Sequence, residues 1–505
     1  MSRRERWAWI ALVLGALLLR LLDLESRPPH HDESVHGDFA HAVLVEHVYR
    51  YDPTYHGPLL FYVTAPIFGL FGESNTTLRL YPVACGVALV ALPFFLRRRM
   101  GPRAAWWAGL GAAISPSLFY YSRFGRNEAM VLLSTAAALA LFWLVRRHGP
   151  RLIPHIGWVA ALHAISKETI YVITPLIGLA AFAAGWREGL WNGVRKGFFW
   201  FDRYRIQIAT ALLWAFVVCM TAYTFFFYHP EDFLFPLKAV KYWYGQHATE
   251  RVGGPWFFYL HRLALYEFLP IVAAVAWCIR RWNRLRRVEV FCLVWGVASI
   301  AMYCYLGEKV PWLLVYQVLP FIPLAGMQLG RTFGPSGRWW SRTLAGVGIA
   351  ATVWSTVASS FLYPSLTPAS PHAEMMVFVQ TTPEAGEVAK RVKAMAKVPH
   401  EGTIATVQGE AAWPYSWQWK RLPVYWDLPG EGMRPLVALC DVDKEQEMRA
   451  RLGDGYTMRR VPLRAWWVED VEGVTAGAVV RWFFTRRAWS EIGSTDMLVF
   501  EASRP

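Results

Sequence analysis

Eleven apolar runs of membrane-spanning length, separated by clusters of arginine, confine this chain to one broad class of fold. They lie near residues 7–24, 80–96, 104–121, 128–145, 152–165, 170–185, 207–228, 263–279, 288–306, 312–329 and 343–362. A soluble chain rarely carries even a few such runs, because about 20 consecutive apolar residues are what a helix needs to cross a bilayer. The run at 152–165 is short and requires tilt or a locally thin bilayer. The 27 Trp and 22 Tyr fit the same class, since their rings favour the membrane–water interface. The net charge of +15 sits in short clusters between the runs, which suits loops facing anionic lipid rather than nucleic acid.

A twelfth apolar stretch, "PLLFYVTAPIFGLF" at 58–71, has 14 residues and two prolines. Charge decides its place. With Arg3, Arg4 and Arg6 in the cytoplasm and 58–71 lying on the surface, the inside segments carry 23 Lys and Arg against 11 in the outside segments. If 58–71 spans, the Arg97–Arg99 cluster and every later one change sides. The stretch is therefore expected to be an interfacial helix on the outer leaflet. The basic, apolar N-terminus lacks a small-residue cleavage site and reads as an uncleaved first span.

The expected architecture is an α-helical polytopic membrane protein with about eleven spans and a small C-terminal extracytoplasmic α/β domain. Residues 1–362 form the membrane domain, with a first external loop at 25–79, and 363–505 form the tail. "TIATVQ" (403–408) and "DMLVFE" (496–501) read as strands around a helix at 383–398. Of six cysteines only Cys440 lies in the tail, and no spacing suggests a disulfide framework or a cysteine metal site. The tail's aromatic run at 411–426 fits sugar stacking or a small core.

This topology gathers charged segments at the external face. The first is "RPPHHDESVHGDFAHAV" (27–43); five of the 14 histidines fall between residues 30 and 47. Asp32 near a helix start is favoured as the ionised form by the helix dipole, and such a carboxylate beside a membrane cavity can act as a general base. The alternative for Asp32 and Glu33 is a helix cap in a solvated loop. His36 stands four residues from Asp32, so the pair can share a helix face and a divalent metal, although no HExxH or paired-cysteine spacing supports one. His31 and His56 are candidate lining residues whose alternative is local hydrogen bonding. Arg123, Arg126 and Glu128 follow one span, Lys167 and Glu168 another, and Lys309 precedes a third. Charges at span ends can snorkel, yet cations from three external loops also suit a lipid phosphate.

In this order, "DE" after the first span, "YHGPLLFY", "SRFGRNEAM", "ISKETIYVITPL" and "GEKVPWLLVYQVLPFIPLAG" resemble the GT-C integral-membrane glycosyltransferases, the group of protein O-mannosyltransferases and the lipid A aminoarabinose transferase. Within that group, "HHDESVHG", "YHGPLLFY", "GEKVPWL" and "FVQTTPE" together resemble most a bacterial and archaeal family described as flippase-associated. The resemblance covers roughly residues 1–382. It implies an inverting transfer of sugar from a polyprenyl-phosphate donor to a glycan, lipid or protein acceptor on the external face. Asp32 would then be the base, with Glu33 supporting it or joining a metal site. Arg126, Lys167 and Lys309, with Arg123 as a further cation, would hold the donor phosphate. Glu128 stands where many of that group carry Asp. A non-catalytic binder of polyprenyl-linked glycan is the alternative. An ion-coupled transporter fits less well, because the spans hold almost no mid-membrane carboxylates.

Overall fold

The computed structural model describes residues 1–186, 189–247, 254–399 and 402–503. Part of the expected 229–262 loop, 248–253, and residues 187–188 of the 186–206 segment lie outside the described residues. The described chain forms two compact units. One comprises Met1–Leu22, Val43–Glu73 and Arg79–Val357; the other comprises Asp23–Ala42, Ser74–Leu78 and Ala358–Pro505. The histidine- and acid-rich segment thus clusters with the tail, although in the sequence it follows the first apolar run.

The first unit is helical and belongs to a multi-pass membrane protein. Among the described residues five helices are long and apolar enough to cross a membrane: Asn75–Met100, Glu128–His148, Arg205–Tyr223, Arg287–Tyr305 and Trp339–Leu362. The first and last of these contribute residues to both units, divided after Leu78 and after Val357. Two bent pairs, Phe258–Tyr266 with Phe268–Arg280 (91°) and Pro311–Val318 with Phe321–Thr332 (56°), raise the number to seven if each is one span. The expected eleven runs are all helical, but four miss this standard for local reasons. Arg3–Leu21 carries charges at both ends. The 104–121 run breaks at Ser115–Pro116 into Pro102–Ile114 and Pro116–Tyr121, as a proline directs. Ile153–Ala164 and Ile170–Gly185 are short. The stretch at 58–71 is the 13-residue helix Leu59–Phe71.

Small residues let these helices approach. A Cβ on Gly326 would lie 2.5 Å from the Ala104 carbonyl oxygen, so helix Phe321–Thr332 packs backbone to backbone on Pro102–Ile114.

The second unit holds a six-stranded mixed sheet. Its strands are β1 (Gln380–Thr381), β2 (Ala405–Val407), β3 (Val424–Tyr425), β4 (Val437–Asp441), β5 (Tyr456–Trp466) and β6 (Gly493–Ala502), in the order β1-β5-β6-β4-β2-β3. β2 runs parallel to β3 and β4; the other pairings are antiparallel. Helix Pro383–Met395 buries Ala385, Val388, Ala389 and Val392 against Val407, Leu439, Val461 and Val499. The tail's aromatic run supplies core: Tyr415 and Trp419 are fully buried and stack at 4.2 Å. Cys440 is buried in β4 and so is closed to an external labelling reagent.

Candidate functional site

The second unit holds the "PPHHDE" residues. Helix His31–His41 begins after His30, which serves as its cap. The His30 Nδ1 accepts the Asp32 backbone N–H at 3.0 Å, and its Nε2 lies 3.0 Å from the Phe378 carbonyl oxygen. These contacts fit a neutral ring protonated on Nε2. The 3.9 Å approach of Asp32 Oδ1 to Nδ1 is then no ion pair. Glu33 completes the cap by accepting the His30 N–H at 3.0 Å and pairs with Arg27 at 3.3 Å, both side chains buried. Glu33 is thus a cap residue, but a buried one rather than one in a solvated loop. Asp32 keeps a side chain 30% exposed at the helix N-terminus, where the dipole favours a carboxylate.

The "FVQTTPE" residues hold this segment from across the chain. Gln380 Nε2 donates to the Pro28 carbonyl at 2.9 Å and Thr381 Oγ1 to that of Pro29 at 2.7 Å. His36 is buried on the same helix, and His31 packs edge-on against Trp413 at 5.9 Å. Among the described residues no group of three or more His, Cys, Asp or Glu is placed to hold a metal ion, so the Asp32–His36 pair lacks a third such ligand.

In the first unit, "SRFGRNE" and "SKE" meet. Glu128 Oε2 lies 3.3 Å from Arg126 Nε, and Glu128 Oε1 lies 2.7 Å from Lys167 Nζ; all three residues are buried. The triad sums to one positive charge. Trp312, from "GEKVPW", lies against the Arg126 guanidinium at 4.1 Å, a cation–π contact. Beside it, His56 Nδ1 bonds Glu168 Oε2 at 2.8 Å, Tyr51 donates to Glu168 Oε1 at 3.1 Å, and the His56 ring stacks on Trp243 at 5.3 Å. The His56 φ of +68° and ψ of −164° lie in a region that side chains rarely enter, a strain typical of functional positions.

Gly57 explains how "YHGP" reaches "ISKE". Gly57 N donates to the Ser166 carbonyl at 3.2 Å and Leu59 N to that of Ile165 at 3.0 Å. A Cβ on Gly57 would collide with the Ile165 carbonyl. Gly57→Ala must push these backbones apart, so it is expected to cost about 1–3 kcal/mol, as overpacking does. A thermal melt of purified protein checks this; an unchanged midpoint would mean the contact yields freely.

Two further cations contact helix-end carbonyls. Arg123 Nη2 donates to the Leu22 carbonyl at 2.5 Å, closing the end of helix Arg3–Leu21. Lys309 Nζ donates to the carbonyls of Tyr303 (3.4 Å), Cys304 (2.7 Å) and Leu306 at the end of helix Arg287–Tyr305. Sequence reasoning missed Tyr51, Trp243, Trp312 and His30 as partners. Trp312 and His30 stood inside quoted motifs and Tyr51 opens the "YDPTYHGPLLFY" stretch, whereas nothing local marked Trp243.

Known proteins share this arrangement of elements. The crystal structure of ArnT from Cupriavidus metallidurans bound to undecaprenyl phosphate matches 98% of this chain and 99% of its own, with TM-score 0.65 and 15% identity. The fold is ArnT-like. The archaeal oligosaccharyltransferase AglB from Archaeoglobus fulgidus, in complex with an inhibitory peptide and a dolichol-phosphate, shares this ArnT-like fold over 88% of the chain and 70% of its own, with TM-score 0.54 and 13% identity. Residues 55–198, which include His56, Arg126, Glu128, Lys167 and Glu168, match the family model for dolichyl-phosphate-mannose-protein mannosyltransferase. No curated protein sequence matches the chain significantly.

Proposed function

We propose that this protein is a membrane glycosyltransferase of GT-C type that moves a sugar from a polyprenyl-phosphate donor to an acceptor on the external face. The observation that carries the reading is the buried Arg126–Glu128–Lys167 triad, with its net positive charge, inside the segment that matches the mannosyltransferase model. The ArnT-like fold over nearly the whole chain supports it. The narrower kinship with the flippase-associated family rests on the motifs alone.

In this mechanism Arg126 and Lys167 meet the donor phosphate, with charge-assisted hydrogen bonds that strengthen as the carrier departs. Lys309 joins them only by exchanging its carbonyl contacts for phosphate oxygens. Asp32 takes the acceptor hydroxyl proton. The acceptor oxygen bonds to the anomeric carbon from the face opposite the phosphate, and the bond from that carbon to the phosphate oxygen breaks with its electron pair. The products are an inverted glycoside and free polyprenyl phosphate. Glu33 supports the base by holding its helix. The reading puts the N-terminus in the cytoplasm and the tail outside, counts all eleven hydrophobic helices as crossings and lays Leu59–Phe71 along the outer leaflet. It takes residues 1–362 as the membrane domain and 363–505 as the tail domain.

The test uses purified protein in native-lipid nanodiscs, supplied with extracted polyprenyl-phosphate sugars and a crude acceptor extract. Mass spectrometry follows free polyprenyl phosphate. Wild type is expected to release it above the protein-free background, and Lys167→Ala to release less. Binding of the donor with no release in any acceptor extract would favour the non-catalytic carrier-binding alternative.

A further inference from the structure

The last apolar helix, Trp339–Leu362, ends at a point from which the fold can be followed to a second apolar surface. The ring of Tyr363, the next residue, stacks on His372 at 4.7 Å. His372 Nδ1 donates to the Thr485 carbonyl at 2.9 Å. Thr485 is the last residue of helix Ala476–Thr485. One stacked ring and one hydrogen bond therefore separate the exit of a hydrophobic helix from the end of this one. All these residues from Ala358 onward lie in a single compact unit.

The link is built firmly. Ala373 N donates to the Arg486 carbonyl and Ala488 N to that of Pro371, each at 2.8 Å, which makes a short antiparallel clasp. Glu374 and Arg486 pair at 2.9 Å, both fully buried, and Trp482 Nε1 donates to the Ala373 carbonyl at 2.8 Å. Trp482 is the helix's inward anchor at 0% exposure.

The opposite face is apolar and open. Val480 is 56% exposed and Phe484 63%, four residues apart and so on one side of the helix, with Gly477 in line before them. Leu362, at the end of the apolar helix, is 52% exposed. Arg481 and Arg487, both exposed, flank this side and the helix end. An apolar strip bordered by arginines, tethered beside a membrane exit, has the composition of a helix that lies in a lipid head-group layer.

We propose that helix Ala476–Thr485 is an interfacial membrane anchor of the tail, with Val480 and Phe484 in the acyl boundary and Arg481 and Arg487 among anionic head groups. The occupant of this face is lipid, and the inference stands whether or not the chain transfers sugar.

The test is electron paramagnetic resonance on the full chain in nanodiscs containing phosphatidylglycerol. Nitroxides are attached at Phe484→Cys and, separately, at Val480→Cys in a Cys304→Ser background, since Cys304 is the native cysteine with partial exposure. Leu344→Cys on the apolar helix and Asp454→Cys on the tail surface serve as references; both sites are exposed. The ratio of collision with oxygen to collision with a polar nickel chelate is expected to be several-fold higher at residues 480 and 484 than at 454, approaching that at 344. A ratio equal to that at 454 overturns the proposal in favour of an aqueous face. Loss of access to both reagents, or dipolar broadening between labels, overturns it in favour of a protein partner or a second copy.

Discussion

Carrier release by the Asp32→Asn variant is expected to fall by about 10²–10⁴-fold, the contribution a positioned general base typically makes. The amide cannot accept the acceptor's proton, and the reaction then depends on water for that step. The loss of stability should be the smaller of the two adjacent carboxylates': Asp32 is partly exposed, and a charge beside a helix dipole is worth roughly 0.3–1 kcal/mol. Glu33→Gln is the contrasting variant. It removes the charge opposite buried Arg27 and is expected to lower stability on the order of 3 kcal/mol. Two adjacent carboxylates thus separate into one variant that loses rate and one that loses fold. The comparison is carrier release by mass spectrometry beside a thermal melt, with undecaprenyl phosphate binding measured on both. An Asp32→Asn protein that releases carrier at the wild-type rate would remove Asp32 from the mechanism.

That division of labour was only half legible in the sequence. A proline pair followed by "HHDE" marks a helix start, but the preferred cap residues are small and polar, so a histidine cap is not read from residue type. The ring of His30 serves because its far nitrogen reaches the Phe378 carbonyl, 348 residues away, and no local pattern reports such a contact. The clasp of Gln380 and Thr381 on Pro28 and Pro29 is long-range in the same way. Both quoted motifs were visible, but what joins them was not. The hydrophobic runs were legible as helices because burial in lipid imposes apolar residues along a whole segment. Their lengths were less so: Ser115–Pro116 cuts one run, and bends of 91° and 56° divide two others. β5 went unread because its solvent-facing residues, Arg459 and Arg460 among them, interrupt the apolar pattern. Arg123 and Lys309 carry the right charge for a phosphate, yet each is directed at helix-end carbonyls, a use that composition does not distinguish.

The triad of the first unit leads to the other large effect. Glu128→Gln is expected to lower stability by about 3–5 kcal/mol, the usual result of removing one partner from a buried ion pair. Arg126 and Lys167 then share a buried site without the carboxylate that lies 3.3 Å from one and 2.7 Å from the other. The same change takes the triad from one net positive charge to two. A phosphate drawn to Arg126 and Lys167 therefore meets a stronger attraction in the variant, and in a low-dielectric site the gain is poorly screened. A ligand that binds only the folded protein stabilises it by an amount that grows with its affinity. The melting midpoint of Glu128→Gln should therefore start lower than that of wild type and rise further on addition of undecaprenyl phosphate. The measurement is a lipid titration followed by thermal melts in detergent, with wild type and variant side by side. A smaller rise in the variant would assign Glu128 the task of ordering the two cations rather than offsetting their charge. No rise in either protein would separate the triad from the phosphate and leave it as a buried pairing that holds "SRFGRNE" against "SKE". The carboxylate therefore tests the proposed site in a way that deleting Lys167 alone cannot, because loss of binding follows from almost any damage and a gain of binding follows only from the charge.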